Sequence, residues 1–303
     1  MHTVVIYTVF YVAIYTLDVL VSFAFILLLD FFHTTSLFRG FFSAYCIVPS
    51  KTDFIPTNGR KNMALYAISD LHLSTLESTN KSMEVFGHRW DGYIDRLKNN
   101  WERLVEPEDT VIIPGDVSWA LSLEEAESDL KFLDNLPGKK IIGKGNHDFW
   151  WATMSKHTTF FKKLEISSIS FLFNNAHLCG DFIIAGTRGW YMDEEAKNAP
   201  DNTDFEKLVN REKIRLEMSL KEAKKIKCEH PGAEILAFMH FPPFWNGKSS
   251  EPLVNLLKEY GVKRVYFGHI HGNYTVEPHF TYDGIEMTII SADYLQFIPK
   301  RII

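Results

Sequence analysis

Cysteine is scarce in this chain: its three residues, Cys46, Cys179 and Cys228, are odd in number and far apart. That excludes a disulfide framework and a cysteine-rich zinc site, and it fits a reducing compartment. Positive charge is in deficit too, with 32 Lys and Arg against 38 Asp and Glu and a formal net charge of -6. A protein built to hold nucleic acid by neutralising phosphates carries the opposite balance, so no duplex nucleic acid is expected as a partner. A small phosphorylated substrate stays compatible. Internal repeats and low-complexity tracts are absent, and so is the polar bias of a disordered chain, since 46% of the 303 residues are hydrophobic and 23% charged. Such a chain buries a sizeable core without staples.

Long apolar runs are also missing, but only after residue 62. From Val4 to Leu29 there are 17 residues of Leu, Ile, Val or Phe, interrupted by Thr8, Thr16, Asp18 and Ser22. Each contributes roughly -0.3 to -0.6 kcal/mol toward membrane insertion, which outweighs one mid-span Asp at about +2.5 to +3.5 kcal/mol. The run is long enough to span a bilayer and lacks the basic leader of a secretory signal. Arg39, Lys51, Arg60 and Lys61 all follow it, so an anchor of this kind leaves the remainder cytoplasmic. A second reading is open: nine of the 24 Phe fall in residues 1–62, as in noncoding DNA read through, and Met63 directly precedes the first convincing strand. The expected organisation is an apolar leader over 1–62, either membrane anchor or misplaced start, and a working domain over 63–303. A membrane enters as a partner only if the leader is native.

Within that domain, short runs rich in β-branched residues alternate with helical patterns, which predicts an α/β layered fold. Strands are expected at 64–69, 110–113, 140–143, 182–186, 234–239, 264–267 and 285–291. A Ser122/Glu125 capping box opens a helix to about Leu136. Thr203 with Glu206 opens a longer one to about Lys227, and Ser250, Pro252 and Gly261 bracket a third.

The polar residues fall where the strands end. Asp70 and His72 follow the first strand, two apart, which on an extended chain puts both on one face. Gly115-Asp116 follows the second, Gly145-Asn146-His147-Asp148 the third, His240 a later one, and Gly268-His269 with His271 another. Taken singly each has an ordinary reading, as a turn, a cap or a hydrogen-bonded histidine. Gathered at strand ends, where α/β sheets bind ligands, they are a costly set of polar groups to place together without a cation between them. Oxygen and imidazole donors without thiolate suit Mn, Fe, Zn, Co or Ni. Seven such groups exceed what one ion needs, and two divalent ions sharing a carboxylate fit the count.

This ordered series, Asp70-x-His72, Gly115-Asp116, Gly145-Asn146-His147-Asp148, His240 and Gly268-His269-x-His271, resembles the calcineurin-like metallophosphoesterases. The stretches GDVSWA and GTRGW resemble, more loosely, a bacterial branch of phosphohydrolases. The resemblance implies a four-layer sandwich of two mixed β-sheets flanked by helices, with a dinuclear site at the strand ends. It implies that Asp70, His72 and His271 hold one metal, that Asn146, His240 and His269 hold the other, and that Asp116 bridges them. His147 would be the non-ligand histidine beside the scissile bond, with Asp148 orienting its ring. The implied reaction is hydrolysis of a phosphomonoester or phosphodiester by a metal-bridging water or hydroxide, in a cytoplasmic enzyme or one anchored to the membrane.

The serine/threonine phosphatase branch carries an arginine shortly after Gly-Asp, whereas here Val117, Ser118, Trp119 and Ala120 follow; this counts against a phosphoprotein substrate. Arg188 is a candidate phosphate clamp, alongside Asn146 and His147, or else a structural loop arginine; Phe149, Trp150, Trp151, Trp190, Tyr191, Phe241, Phe244 and Trp245 either wall a pocket for a nucleotide or small phosphorylated substrate or pack on one another as loop aromatics. Two alternatives stand beside the enzyme. A non-catalytic scaffold of this fold would show ligand loss, and no motif position is missing. A phospholipid or pyrophosphate hydrolase at a membrane requires residues 1–62 to be real.

Overall fold

The computed structural model describes residues 63–75, 83–190 and 204–302. The apolar leader, Cys46, Tyr191 and Thr203 lie outside them. Among the described residues no helix is long and apolar enough to cross a membrane.

The strands are β1 (Leu65–Ala67), β2 (Thr110–Ile113), β3 (Lys139–Ile142), β4 (Ile169–Phe171), β5 (His177–Cys179), β6 (Phe182–Thr187), β7 (Glu234–Met239), β8 (Phe244–Trp245), β9 (Lys248–Ser249), β10 (Arg264–Phe267), β11 (His279–Tyr282), β12 (Ile285–Ile289) and β13 (Lys300–Ile302). They form one sheet ordered β13-β1-β2-β3-β4, a second ordered β11-β12-β10-β7-β6-β5, and the small β8-β9 hairpin. In each large sheet the central strands run parallel, and antiparallel partners sit at edges: β13 on the first sheet, β11 and β5 on the second. Both sheets are therefore mixed, as the sequence led us to expect.

Strand periodicity sorts the side chains into layers. Leu65, Ala67, Ile112 and Ile141 of the first sheet meet Ile184, Leu236, Phe238, Tyr266 and Ile290 of the second in an apolar core between the sheets. Their neighbours in sequence, Tyr66, Ile68, Val111, Ile113 and Ile142, face the opposite way, because successive side chains of a strand alternate. That outer face is covered by α1 (Tyr93–Leu104), α2 (Glu127–Asn135) and α3 (Met154–Leu164), while α4 (Phe205–Glu229) and α5 (Glu251–Glu259) cover the outer face of the second sheet. The result is helix, sheet, sheet, helix.

Local chemistry explains the helix ends, with two changes from expectation. The long helix α4 is capped by Asp204, whose carboxylate accepts from the Lys207 N–H at 2.9 Å. Ser122 does accept from the Glu125 N–H at 3.2 Å, but those residues form a turn and α2 starts only at Glu127. Helix α5 runs as bracketed, with Pro252 in its first turn, and Gly261 at φ 72° closes it while the Val262 N–H reaches back to the Leu257 carbonyl. Helices α1 and α3 and the edge strands carried no distinct signal in the sequence reading.

One junction positions the site. Beyond β1, the Ser69 N–H donates to the Ile290 carbonyl at 2.7 Å and the Ala292 N–H to the Ser69 carbonyl at 2.8 Å, a parallel bridge between Ser69 and Ser291. The carboxyl ends of the two sheets are thereby brought against each other, and the loops leaving both converge.

Candidate metal centre

The chain between Asp70 and Leu73 runs beside the loop after β2: Asp70 N–H to Gly115 carbonyl at 3.0 Å, His72 N–H to Asp116 carbonyl at 3.0 Å, Leu73 N–H to Val117 carbonyl at 2.9 Å. This extra ladder sets Asp70, His72 and Asp116 in register. They do not share the face of an extended strand, however. β1 ends at Ala67, and Asp70, His72, Asp116 and His269 all have left-handed backbone, with φ of 59°, 45°, 51° and 69°. Strain of this kind in non-glycine residues persists where the surroundings over-determine it, and it concentrates at functional sites.

Two glycines make the close approach possible. A Cβ on Gly145 would stand 2.0 Å from Asp116 Oδ1, and one on Gly268 would stand 2.1 Å from Asp70 Oδ2. Both carboxylates are then held by backbone: Asp116 Oδ1 accepts from the His147 N–H at 2.7 Å, and Asp70 accepts from the His269 N–H at 3.0 Å.

All seven residues expected to bind metal come together in two groups. In the first, His271 Nε2 lies 3.2 Å from Asp70 Oδ1 and 3.4 Å from His72 Nε2. In the second, Asn146 Oδ1 lies 2.6 Å from His240 Nε2 and 3.1 Å from His269 Nδ1. Asp116 Oδ2 stands between the groups, 3.7 Å from His72 Nε2 and 3.4 Å from His240 Nε2. Two donors each about 2.1 Å from one ion are separated by about 3.0 to 3.4 Å, so most of these spacings would fit atoms sharing a cation as well as hydrogen-bonded pairs.

Protonation fits as well. Burial, with His271 adding positive charge, pushes His72 well below the usual histidine range, and burial does the same to His240 and takes His269 to about 4. Neutral imidazole is the form that ligates. Burial alone would raise the Asp70 carboxyl, but His271, His240 and His72 outweigh it and hold it low. Asp116 is pushed well up by burial and by the charges of Asp70 and Asp148. His271 is the counterpart: burial opposes its charge, yet Asp70 and Asp293 raise it to about 10. A proton on His271 and a cation among the same groups are alternative ways of satisfying Asp70.

His147 sits at the rim with its ring 4.5 Å from Trp119 and 5.6 Å from His72. Asp148 does not hold that ring. Its buried carboxylate accepts from the N–H groups of Gly145 (2.7 Å), Asp116 (2.9 Å), Val117 (2.9 Å) and Ser118 (3.3 Å) and from Trp150 Nε1 (2.9 Å). It ties the loop after β2 to the loop after β3, a different place from the ring-orienting one that the resemblance implied. Arg188 reaches the neighbourhood by way of the Phe241 N–H, which donates to the Arg188 carbonyl at 2.8 Å next to His240. Its guanidinium lies over Trp190 at 4.4 Å and 3.6 Å from Glu212. Of the proposed aromatic wall, Trp150 and Phe241 are buried and Phe149 is exposed.

The sequence reading missed Asp293. This buried residue accepts from His271 Nδ1 at 2.8 Å and from the Tyr274 hydroxyl at 2.8 Å, fixing the ring that faces Asp70. Its signal was available, as an acid two residues past the strand expected at 285–291. Trp119, stacked on His72 at 4.8 Å, and the Tyr93 hydroxyl, donating to the His72 carbonyl at 2.6 Å, were also missed.

A family model for the calcineurin-like phosphoesterases matches residues 63–273. The chain belongs to the calcineurin-like phosphoesterase family. This metal-dependent family accounts for the candidate ligand groups around Asp70, Asp116 and the three histidines His72, His240 and His271. Solved structures of similar proteins include phosphopantetheinyl hydrolase (PptH) from Mycobacterium tuberculosis, 15% identical over 80% of this chain and 96% of that one with a TM-score of 0.48. Another is TT1561 of Thermus thermophilus, 12% identical over 77% of this chain and 91% of that one with a TM-score of 0.44. No curated protein matches the chain.

Proposed function

We propose that this calcineurin-like phosphoesterase is a hydrolase of a phosphomonoester or phosphodiester, working with two divalent cations such as manganese. The observation that carries the reading is the position of Asp116 Oδ2, within 3.7 Å of His72 and 3.4 Å of His240, where one carboxylate oxygen serves both ligand groups. Asp70, His72 and His271 hold one cation, Asn146, His240 and His269 the other, and Asp116 both. When bound, the cations supply Lewis acidity that polarises the phosphoryl oxygens and lowers the pKa of water.

The chain's own groups do the rest. The His147 N–H and the Gly145 turn fix the shared carboxylate, and the His147 imidazole, outside the ligand set, donates a proton to the leaving oxygen. Asp148 acts as a positioning residue that holds two ligand loops at one spacing. Asn146 and Arg188 bind the phosphoryl oxygens of the substrate, Arg188 bidentately through its guanidinium. Cys179 and Cys228 are free thiols, which supports a reducing compartment, the cytoplasm.

The test is turnover of aryl phosphate monoesters and diesters by the Mn²⁺-loaded protein. His147→Ala is expected to keep its bound metal, measured by elemental analysis, while turnover falls by about 10² to 10⁴ fold. Absence of turnover with any divalent metal in a folded, metal-loaded protein overturns the hydrolase; loss of metal in His147→Ala overturns the role given to that ring.

A further inference from the structure

Beside the metal centre, positive charge accumulates beyond what the fold uses. Glu212, fully buried on α4, is contacted by three guanidiniums: Arg215 Nη1 at 2.8 Å, Arg211 Nε at 3.3 Å and Arg188 Nη2 at 3.6 Å. Its other oxygen accepts from the Thr187 hydroxyl at 2.7 Å. Among the described residues one carboxylate meets three guanidiniums, two positive charges in excess, and Lys144, which lines the adjoining narrow cleft with Arg188 and Arg215, adds a third. Lys144 makes no ion pair with a described residue. Arg188 Nε, a donor of a residue that lines the cleft, is buried without a hydrogen-bond partner. A structural ion pair needs neither the surplus cations nor the unpaired donor, and buried polar groups are ordinarily satisfied.

The cleft is continuous with the metal centre through the backbone. Lys144 directly precedes Gly145-Asn146, and the Arg188 carbonyl is bonded to the residue after His240. At longer range the negative charges acting on Lys144 and Arg188 include Asp148 and Asp116, both of the centre itself.

We infer that a second anionic group of the substrate, a phosphate or carboxylate set beyond the scissile phosphorus, is received at the mouth of this cleft, whose interior is too narrow for it, by Lys144, Arg188 and Arg215 of the lining and by Arg211 beside them. The enzyme then selects phosphoesters that carry a second anionic group over phosphoesters that carry none. This rests on the phosphohydrolase reading above. Arg188 stands at the border, reaching the scissile group from one side and the second anion from the other. Guanidinium forks match both anions in geometry.

Two measurements on the full chain test it, using Arg211→Gln/Arg215→Gln, which alters the two more exposed guanidiniums and leaves Glu212 paired with Arg188. In the first, metal-free protein is titrated calorimetrically with inorganic pyrophosphate. Binding is expected in the wild type and at least tenfold weaker in the variant. In the second, kcat/KM of Mn²⁺-loaded protein is compared between adenosine 3′,5′-bisphosphate, phosphoenolpyruvate and 4-nitrophenyl phosphate. The ratio of a polyanionic substrate to 4-nitrophenyl phosphate is expected to fall at least tenfold in the variant, for the bisphosphate if the second group is phosphate and for phosphoenolpyruvate if it is carboxylate. A merely structural role lowers all three rates together and leaves the ratios fixed, which overturns the inference, as does unchanged pyrophosphate binding. A wild type that hydrolyses nothing sinks the phosphohydrolase reading instead, and the metal-free titration still decides the anion site.

Discussion

His157 on α3 shows how one buried residue makes stability depend on pH away from the metal centre. Its ring is fully buried among Trp150, Trp151 and Phe171, and Nε2 accepts the Ala152 N–H at 3.1 Å. Burial pushes its pKa down to about 4, and a proton on Nε2 would set two donors against each other. The unfolded chain takes that proton near the ordinary histidine value of about 6.5. As pH falls from there to about 4 the unfolded state binds more protons than the folded one, so the folded state loses stability, and below both values the loss stops. The gap in stability between wild type and His157→Asn, read from urea unfolding of metal-free protein, is therefore expected to narrow from pH 7 to pH 4. A constant gap would show that the ring protonates as readily folded as unfolded.

At the scale of the element, the site is made by loops at the ends of β1, β2, β3, β7 and β10, and the spacing between loops matters more than any single ligand. Gly145 carries this most directly, because a Cβ there meets Asp116 Oδ1 at 2.0 Å and the Asp116 backbone nitrogen at 2.3 Å. Gly145→Ala is expected to fold, to lose bound metal and to lower turnover by about 10² fold, the usual penalty of an ångström's displacement at a reacting centre; elemental analysis and steady-state rates check it. Retained metal with full turnover would show that the loop yields without cost. The loops were the legible part of the sequence. Strands β2, β7 and β10 fall where their β-branched runs put them, and each ends in the polar residues that mark it. What could not be read is set by tertiary contact. α1 buries only Tyr93, Leu97 and Trp101, a narrow stripe of three, and Asp293 acquires its purpose from His271, 22 residues away. Asp148 was found by its motif, but its five N–H partners exist only once two loops lie side by side.

Across the whole molecule, the candidate ligands divide between the sheets. Asp70, His72, Asp116 and Asn146 leave the first, and His240, His269 and His271 leave the second, so a cation held by Asp70 and His271 or by Asn146 and His240 fastens one sheet to the other. The net charge of -6 gave no hint of this, because buried ligands and surface charge are counted alike. Bound ions stabilise the folded state by mass action, by about 2.7 kcal/mol at a hundredfold excess over Kd, and for a domain of this size each kcal/mol raises Tm by about 2 to 4 °C. Chelation is therefore expected to lower Tm by about 5 to 10 °C for each site emptied, about 10 to 20 °C for both, and added Mn²⁺ to restore it in step with its concentration. Asp116→Asn, which weakens the oxygen common to both groups, is expected to bring the metal-loaded Tm close to the chelated one. A Tm indifferent to chelator would mean that the junction at Ser69 and Ser291 holds the sheets together without any ion, and that the buried carboxylates are balanced by the proton on His271 alone.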